Sequence, residues 1–116
     1  MKHYTFAFHI QAVRVQTPPR ILMTGAESIL TVTSGSSIDL PCRVFGKPEP
    51  ILHWERAHAN QIAINNNKTY VDAVTGSLKF WTVDPSDGGE YVCVAINDAG
   101  EARKTVTLIV QGYIFL

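Results

Sequence analysis

Asp84-Pro85-Ser86-Asp87-Gly88-Gly89-Glu90-Tyr91-Val92-Cys93-Val94-Ala95-Ile96-Asn97 decides how the rest of the chain is read. Its first six residues are turn formers: Pro presets φ near −65°, while Gly and Asp tolerate conformations that other residues avoid. From Glu90 onward the residues alternate, and neighbours on a strand point to opposite faces. Tyr91, Cys93 and Ala95 therefore share one face, and Glu90, Val92, Val94 and Ile96 share the other. The row holding the cysteine and the aromatic ring is the one to bury, so this stretch predicts a strand over Glu90 to Asn97 with a packed inner side.

The same period of two extends in both directions. Ile38, Leu40 and Cys42 form one inward row, Leu52 and Trp54 another, followed by Leu78, Phe80 and Val83, and by Val106, Leu108 and Val110. Strands are predicted at 20–23, 29–33, 38–44, 51–56, 61–64, 69–73, 77–83, 90–97 and 102–111. Turn clusters such as Ser34-Gly35-Ser36, Gly46-Lys47-Pro48-Glu49-Pro50, Asn65-Asn66-Asn67, Thr75-Gly76 and Asp98-Ala99-Gly100 separate them. Short strands broken every 8–12 residues, with no long helical pattern, indicate an all-β sandwich of two sheets. Cys42 and Cys93 both fall in the inward phase, so a bridge between the sheets is geometrically natural, although a cysteine pair can also be two buried thiols or half of a metal site.

Composition narrows the field further. The chain has 116 residues, with ten basic and ten acidic side chains that cancel. That is material for one domain with one core. Zero net charge gives no footprint for nucleic acid or an anionic membrane surface, which need clustered Lys and Arg. No apolar run reaches the roughly 20 residues that span a bilayer, so no membrane insertion is expected. Zinc would need four Cys or His at short spacings, and neither Cys-x-x-Cys nor a tight His pair occurs. If Cys42 and Cys93 are oxidised, they close a separation of 51 residues. A loop of that length is worth roughly 4 kcal/mol in the chain-entropy estimate, and oxidation points to a secretory or extracellular setting.

Cys42, Trp54 twelve positions later, Leu78, and Asp87-x-Gly89-x-Tyr91-x-Cys93 together resemble the immunoglobulin domains. Gly46-x-Pro48-x-Pro50 before the Trp and Ala95-x-Asn97-x-x-Gly100 after the second Cys are similar to the intermediate set, or I-set. The resemblance covers about Pro18 to Gln111. It implies an immunoglobulin-like, Greek-key antiparallel sandwich with one inter-sheet disulfide, Cys42–Cys93, on which Trp54 packs. It also implies a Tyr91 hydroxyl bonded to backbone a few residues upstream and Asp87 paired with a basic residue, for which Lys68 is the match. Pro41 inside a strand departs from the usual pattern, because proline cannot donate to a ladder. The family's first strand breaks and switches sheets, and that break is expected near Thr24 to Ser28. The domain is thus 18–111, preceded by an extension or linker at 1–17 and followed by a tail at 112–116. Phe6, Phe8 and Ile10 alternate in the extension and could form an extra strand or flap over apolar surface.

Catalysis needs a nucleophile and base, a carboxylate pair or an open metal position. His3, His9, His53 and His58 are scattered and none accompanies a serine motif, so no enzyme, cofactor or metal is expected. Asn67-Lys68-Thr69 is an N-glycosylation acceptor in a polar turn. The outward row Val92, Val94 and Ile96, with Ile51 and His53 on one flanking strand and Ile109 on the other, could form one exposed apolar stripe. A contiguous patch of this kind marks an interaction site. Trp81 is out of phase with Leu78, Phe80 and Val83 and should project from the opposite sheet; exposed Trp is enriched at binding hot spots. The loop Gly46 to Pro50 and the turn Asn97 to Gly100 should meet at one pole, against a neighbouring module of a longer chain. The reading is a non-catalytic protein-recognition module of an extracellular or cell-surface adhesion, receptor or matrix protein, binding a protein partner or a second copy through a sheet face. The alternative is a cytoplasmic, sarcomeric or cytoskeletal spacer of the same fold with reduced cysteines.

Overall fold

Alternating apolar residues and the turns between them produce nine strands among the residues that the computed structural model describes, 15–57 and 68–112. They are β1 (Thr17–Leu22), β2 (Ile29–Thr33), β3 (Ile38–Leu40), β4 (Arg43–Lys47), β5 (Ile51–Arg56), β6 (Thr69–Val71), β7 (Leu78–Phe80), β8 (Gly89–Asn97) and β9 (Gly100–Gln111). Single turns of 3-10 helix lie at Ala26–Ser28 and Pro85–Asp87. One layer has the order β2-β9-β8-β5. The other contains β3-β7-β6 and the pair β1-β4, which are joined because β3 and β4 are halves of one run. Pairing is antiparallel except between β2 and β9, which run parallel.

The layers enclose Leu40, Cys42, Trp54, Leu78, Phe80, Val83, Tyr91, Cys93, Val106 and Leu108. Cys42 and Cys93 are joined by a disulfide with Cα atoms 6.5 Å apart. Trp54 is fully buried, and its indole N–H donates to the carbonyl of Gly76 at 2.9 Å. An indole donor removed from water without such an acceptor would oppose folding. Gly76 has φ +78, and a Cβ there would lie 2.8 Å from the Cys42 carbonyl oxygen. Only glycine fits that combination of backbone angle and close approach.

β6 and β7 are shorter than the sequence predicts and β4 runs on into the predicted turn at Gly46; two further differences trace to proline. The run 38–44 is split, because Pro41 brings no N–H to a ladder and β3 ends at Leu40 before β4 begins at Arg43. β1 starts at Thr17, and its register with β4 shifts between Thr17 and Arg20, where Pro18 and Pro19 lie. The sheet switch falls where it was expected, between β1 and β2. Thr24 and Glu27 hold it reciprocally, each backbone N–H donating to the other's side chain at 3.0 and 3.1 Å. Arg43 then grips both oxygens of Glu27, at 2.9 and 2.6 Å, and this pair holds the Glu27 carboxyl down at about 2. The predicted strand at 61–64, Phe6, Phe8, Ile10, Asn67 and the end of the tail lie outside the described residues.

Candidate protein-interaction face

The outer side of β5-β8-β9 is set by register. Ile51 stands opposite Ile96, His53 opposite Val94 and Glu55 opposite Val92. On the other flank Glu101 stands opposite Ile96, Arg103 opposite Val94 and Thr105 opposite Val92. At one end of the face Ile51 and Ile96 are both exposed, Ile51 at 78% and Ile96 at 41%.

The middle of the face is charged. Glu101 accepts from Arg103 at 2.7 Å, Arg103 reaches Glu55 at 3.4 Å, and Glu55 meets the His53 ring at 2.8 Å. Strands β9 and β5 flank β8 and are two strand spacings apart, about 9–10 Å, so the Arg103–Glu55 contact must cross over β8. This accounts for a departure from the predicted stripe: Val94, expected to face water, has 0% exposure, and Val92 is half-buried. The His53 hydrogen bond, followed by Arg103, lowers the Glu55 carboxyl below its ordinary range, and Glu101 raises the Arg103 guanidinium.

Ile109 also departs from the predicted stripe. It pairs with Thr31 of β2, far along β9 from Glu101, so it belongs to the other end of the face. It stands diagonal to the exposed Ile29, whose partner is Thr107. The single continuous stripe is therefore an Ile51–Ile96 end, a charged centre over Val94, and a separate Ile29–Ile109 end.

The pole next to Ile51 and Ile96 is tied by Asn97. Its side-chain amide donates to the carbonyls of Thr17 at 2.8 Å and Pro48 at 2.9 Å, and its carbonyl oxygen accepts from the Ala99 N–H. A single side chain so joins the start of β1, the loop Gly46 to Pro50 and the turn after β8. A cavity of about 900 Å³ lies beside it, lined by Val15, Thr17, Phe45, Pro48 and Pro50.

The opposite pole is built on Asp87. The Tyr91 hydroxyl donates to the Asp87 carbonyl, and the Asp87 carboxylate accepts from the Asp84 N–H at 2.8 Å and meets Lys68 at 2.9 Å. Asp84 caps the turn by accepting from the Ser86 N–H and pairs with Lys68, which holds its carboxyl down at about 2. Arg56 lies over the Tyr91 ring, 5.2 Å from its centroid, and donates to the carbonyls of Ser86 and Gly88. Gly89, at φ +142, leaves room for it: a Cβ would sit 3.3 Å from the guanidinium.

Trp81 projects from the β3-β7-β6 layer, 59% exposed. It is stacked on Tyr70 with centroids 5.1 Å apart. Leu78 is fully buried beneath that layer. Among the described residues, no group of three or more His, Cys, Asp or Glu is close enough to hold a metal ion. Arg56, Asp84 and Arg103 have no site role in the sequence reading, and Asn97 enters it only as part of the Ala95-x-Asn97-x-x-Gly100 motif, without its bonds to Thr17 and Pro48. For Arg56 and Asn97 the signal is a donor side chain near turns whose carbonyls have no ladder partner; for Asp84 it is the Asp-Pro-Ser-Asp turn itself, and for Arg103 the Glu101 of opposite charge on the same strand face.

Comparison with known proteins places this geometry. The immunoglobulin I-set domain matches residues 22–110. Human hemicentin-1 is 38% identical over 98 residues, which is 84% of this chain and 2% of that protein. Mouse immunoglobulin superfamily member 10 is 35% identical over 97 residues, 82% of this chain and 4% of that protein. The chain thus spans only a few per cent of the length of these relatives. Among solved structures, a chain of the titin M10–obscurin like 1 Ig complex superposes with a TM-score of 0.73 at 30% identity, covering 85% of this chain and 99% of that one. Sidekick-1 immunoglobulin domains 1–4 give 0.73 at 27% identity, covering 83% of this chain and 25% of that one.

Proposed function

The chain belongs to the immunoglobulin I-set family, and from that premise we propose that it is a non-catalytic protein-recognition module of an extracellular adhesion, receptor or matrix protein. It binds its partner through the outer face of β5-β8-β9. The observation that carries this reading is the Ile51–Ile96 pair: two exposed aliphatic side chains in direct register, bordered by the Glu101–Arg103–Glu55–His53 chain of charges. An apolar anchor beside a polar border is the anatomy of a recognition site, in which a few anchors set affinity and surrounding charges set specificity. The rigid sandwich beneath keeps the ordering cost of binding low. Similarity to hemicentin-1 and immunoglobulin superfamily member 10 supports a place in a long protein of the immunoglobulin superfamily, and the Cys42–Cys93 bridge supports an oxidising compartment. In that setting Asn67 is a glycosylation site, and a preceding module abuts the Asn97 pole.

The test is a photo-crosslinking amino acid placed in turn at 96 and at 74. Val74 is the control, since it is almost wholly exposed on the β6–β7 turn. A partner or second copy captured from 96 and not from 74 supports the reading; capture from 74 alone overturns it. A second reading, an intracellular spacer with reduced cysteines, is favoured by one observation, the likeness to the titin M10–obscurin like 1 Ig complex. Alkylation of the native protein without reductant separates the two, since free thiols at Cys42 and Cys93 would mean the spacer.

A further inference from the structure

The β3-β7-β6 layer carries a feature that the β5-β8-β9 reading does not use. Trp81 and Tyr70 stack at 5.1 Å with planes inclined by 30°, and the indole remains 59% exposed. Trp81 also lines a concavity of about 360 Å³ with Lys68, Thr82 and Asp84. Among the described residues, each ammonium on this surface is matched by two carboxylates: Lys68 by Asp84 and Asp87, and Lys79 by Asp39 directly and by Asp72 through space. The field around the ring pair is therefore negative, and the Asp84 side chain is half exposed within it.

An exposed indole face attracts cations through its quadrupole, and Trp is the best of the aromatic residues at this. A guanidinium suits such a place better than an ammonium. It is planar, weakly hydrated, able to lie flat on a ring and able to donate sideways to a carboxylate at the same time. Asp84 stands beside the ring; its Oδ1 already accepts from both the N–H and the hydroxyl of Ser86, while its Oδ2 accepts from Lys68 and has capacity for a further donor.

We propose that this aromatic and acidic concavity is a second protein contact, taking an arginine side chain of a partner polypeptide with its guanidinium stacked on Trp81 and one N–H directed to the Oδ2 of Asp84. The contact lies on the layer opposite β5-β8-β9 and stands independently of that face.

The probe is the peptide acetyl-Gly-Arg-Gly-Arg-Gly-amide, titrated into the intact chain while the Trp81 indole N–H resonance is followed. Its citrulline counterpart has the same shape and no charge. A saturable shift at Trp81 is expected with the arginine peptide, weakening as salt rises. Affinity, read in every variant from the Thr82 backbone amide, should fall about tenfold or more in Trp81→Leu and should also fall in Asp84→Asn, which keeps an oxygen for the Ser86 cap. Thermal midpoints of both variants check that the fold is kept. No saturable shift, an equal response to the citrulline peptide, or unchanged affinity in Trp81→Leu would overturn the proposal.

Discussion

Trp54 donates its indole N–H to Gly76, 22 positions further along the chain, so the central aromatic of one layer is fastened to the turn that links β6 and β7 of the other. Trp54→Ala removes both the buried ring and this bond and should destabilise by about 3–5 kcal/mol. Trp54→Phe keeps most of the area and leaves the Gly76 carbonyl without its donor, a smaller loss of about 1–3 kcal/mol. Urea unfolding measures both losses; a Trp54→Phe midpoint equal to that of the parent chain would mean that the bond contributes nothing.

Val94 and Ile96 sit two residues apart on the same face of β8, yet only Ile96 is open to water. Val94→Glu should therefore be severely destabilising, by about 3 kcal/mol or more, because an unpaired charge would lie beneath the Arg103–Glu55 contact. Ile96→Glu should leave the denaturant midpoint nearly unchanged. The two variants compared side by side test whether the charged chain covers Val94.

Tyr91→Phe deletes the hydroxyl that closes the Asp87 corner while keeping the ring against Arg56 and Phe80. The expected cost is about 1–3 kcal/mol, because the Asp87 carbonyl loses its donor in a buried place. Amide hydrogen exchange should quicken at Asp84 to Gly88 before it does in β8.

Acid should loosen the fold through two named carboxylates. Glu27 and Asp84 both have folded-state values lowered to about 2, from the ordinary 4.5 and 3.8. The chief causes are the bond from Arg43 and the bond from Lys68, respectively. A group with a depressed folded value contributes stability above its unfolded value and loses it as pH falls toward the folded one. The thermal midpoint should therefore decline between about pH 4.5 and pH 2, more gently in Glu27→Gln and in Asp84→Asn. An unaltered slope in both variants would show that neither pair persists in solution.

Alternation with period two made the core legible, because it is a property of each strand alone: Leu40, Cys42, Trp54, Leu78, Tyr91 and Cys93 follow from phase. The break at Thr24 to Ser28 followed from the resemblance and Pro41. What phase leaves open is register, which depends on pairs of strands. Ile109 was in the right phase and eight positions from where the Ile51–Ile96 end needed it. Phase also says which way a side chain points and not what crosses over it, so the reach of Arg103 from β9 to Glu55 hid Val94. The bonds of Arg56 and Asn97 were out of reach for a related reason, even though Asn97 stands in the Ala95-x-Asn97-x-x-Gly100 motif: their acceptors are main-chain carbonyls 30 or more residues away.

Affinity for the partner captured from position 96, measured for the parent chain and for Ile51→Glu, Ile96→Glu and Val74→Glu, tests the recognition face most directly. We predict at least tenfold weaker binding in each isoleucine variant, as expected when a charge enters an apolar anchor site, with Val74→Glu unchanged and all three folded. Parent-like affinity in both isoleucine variants would contradict it.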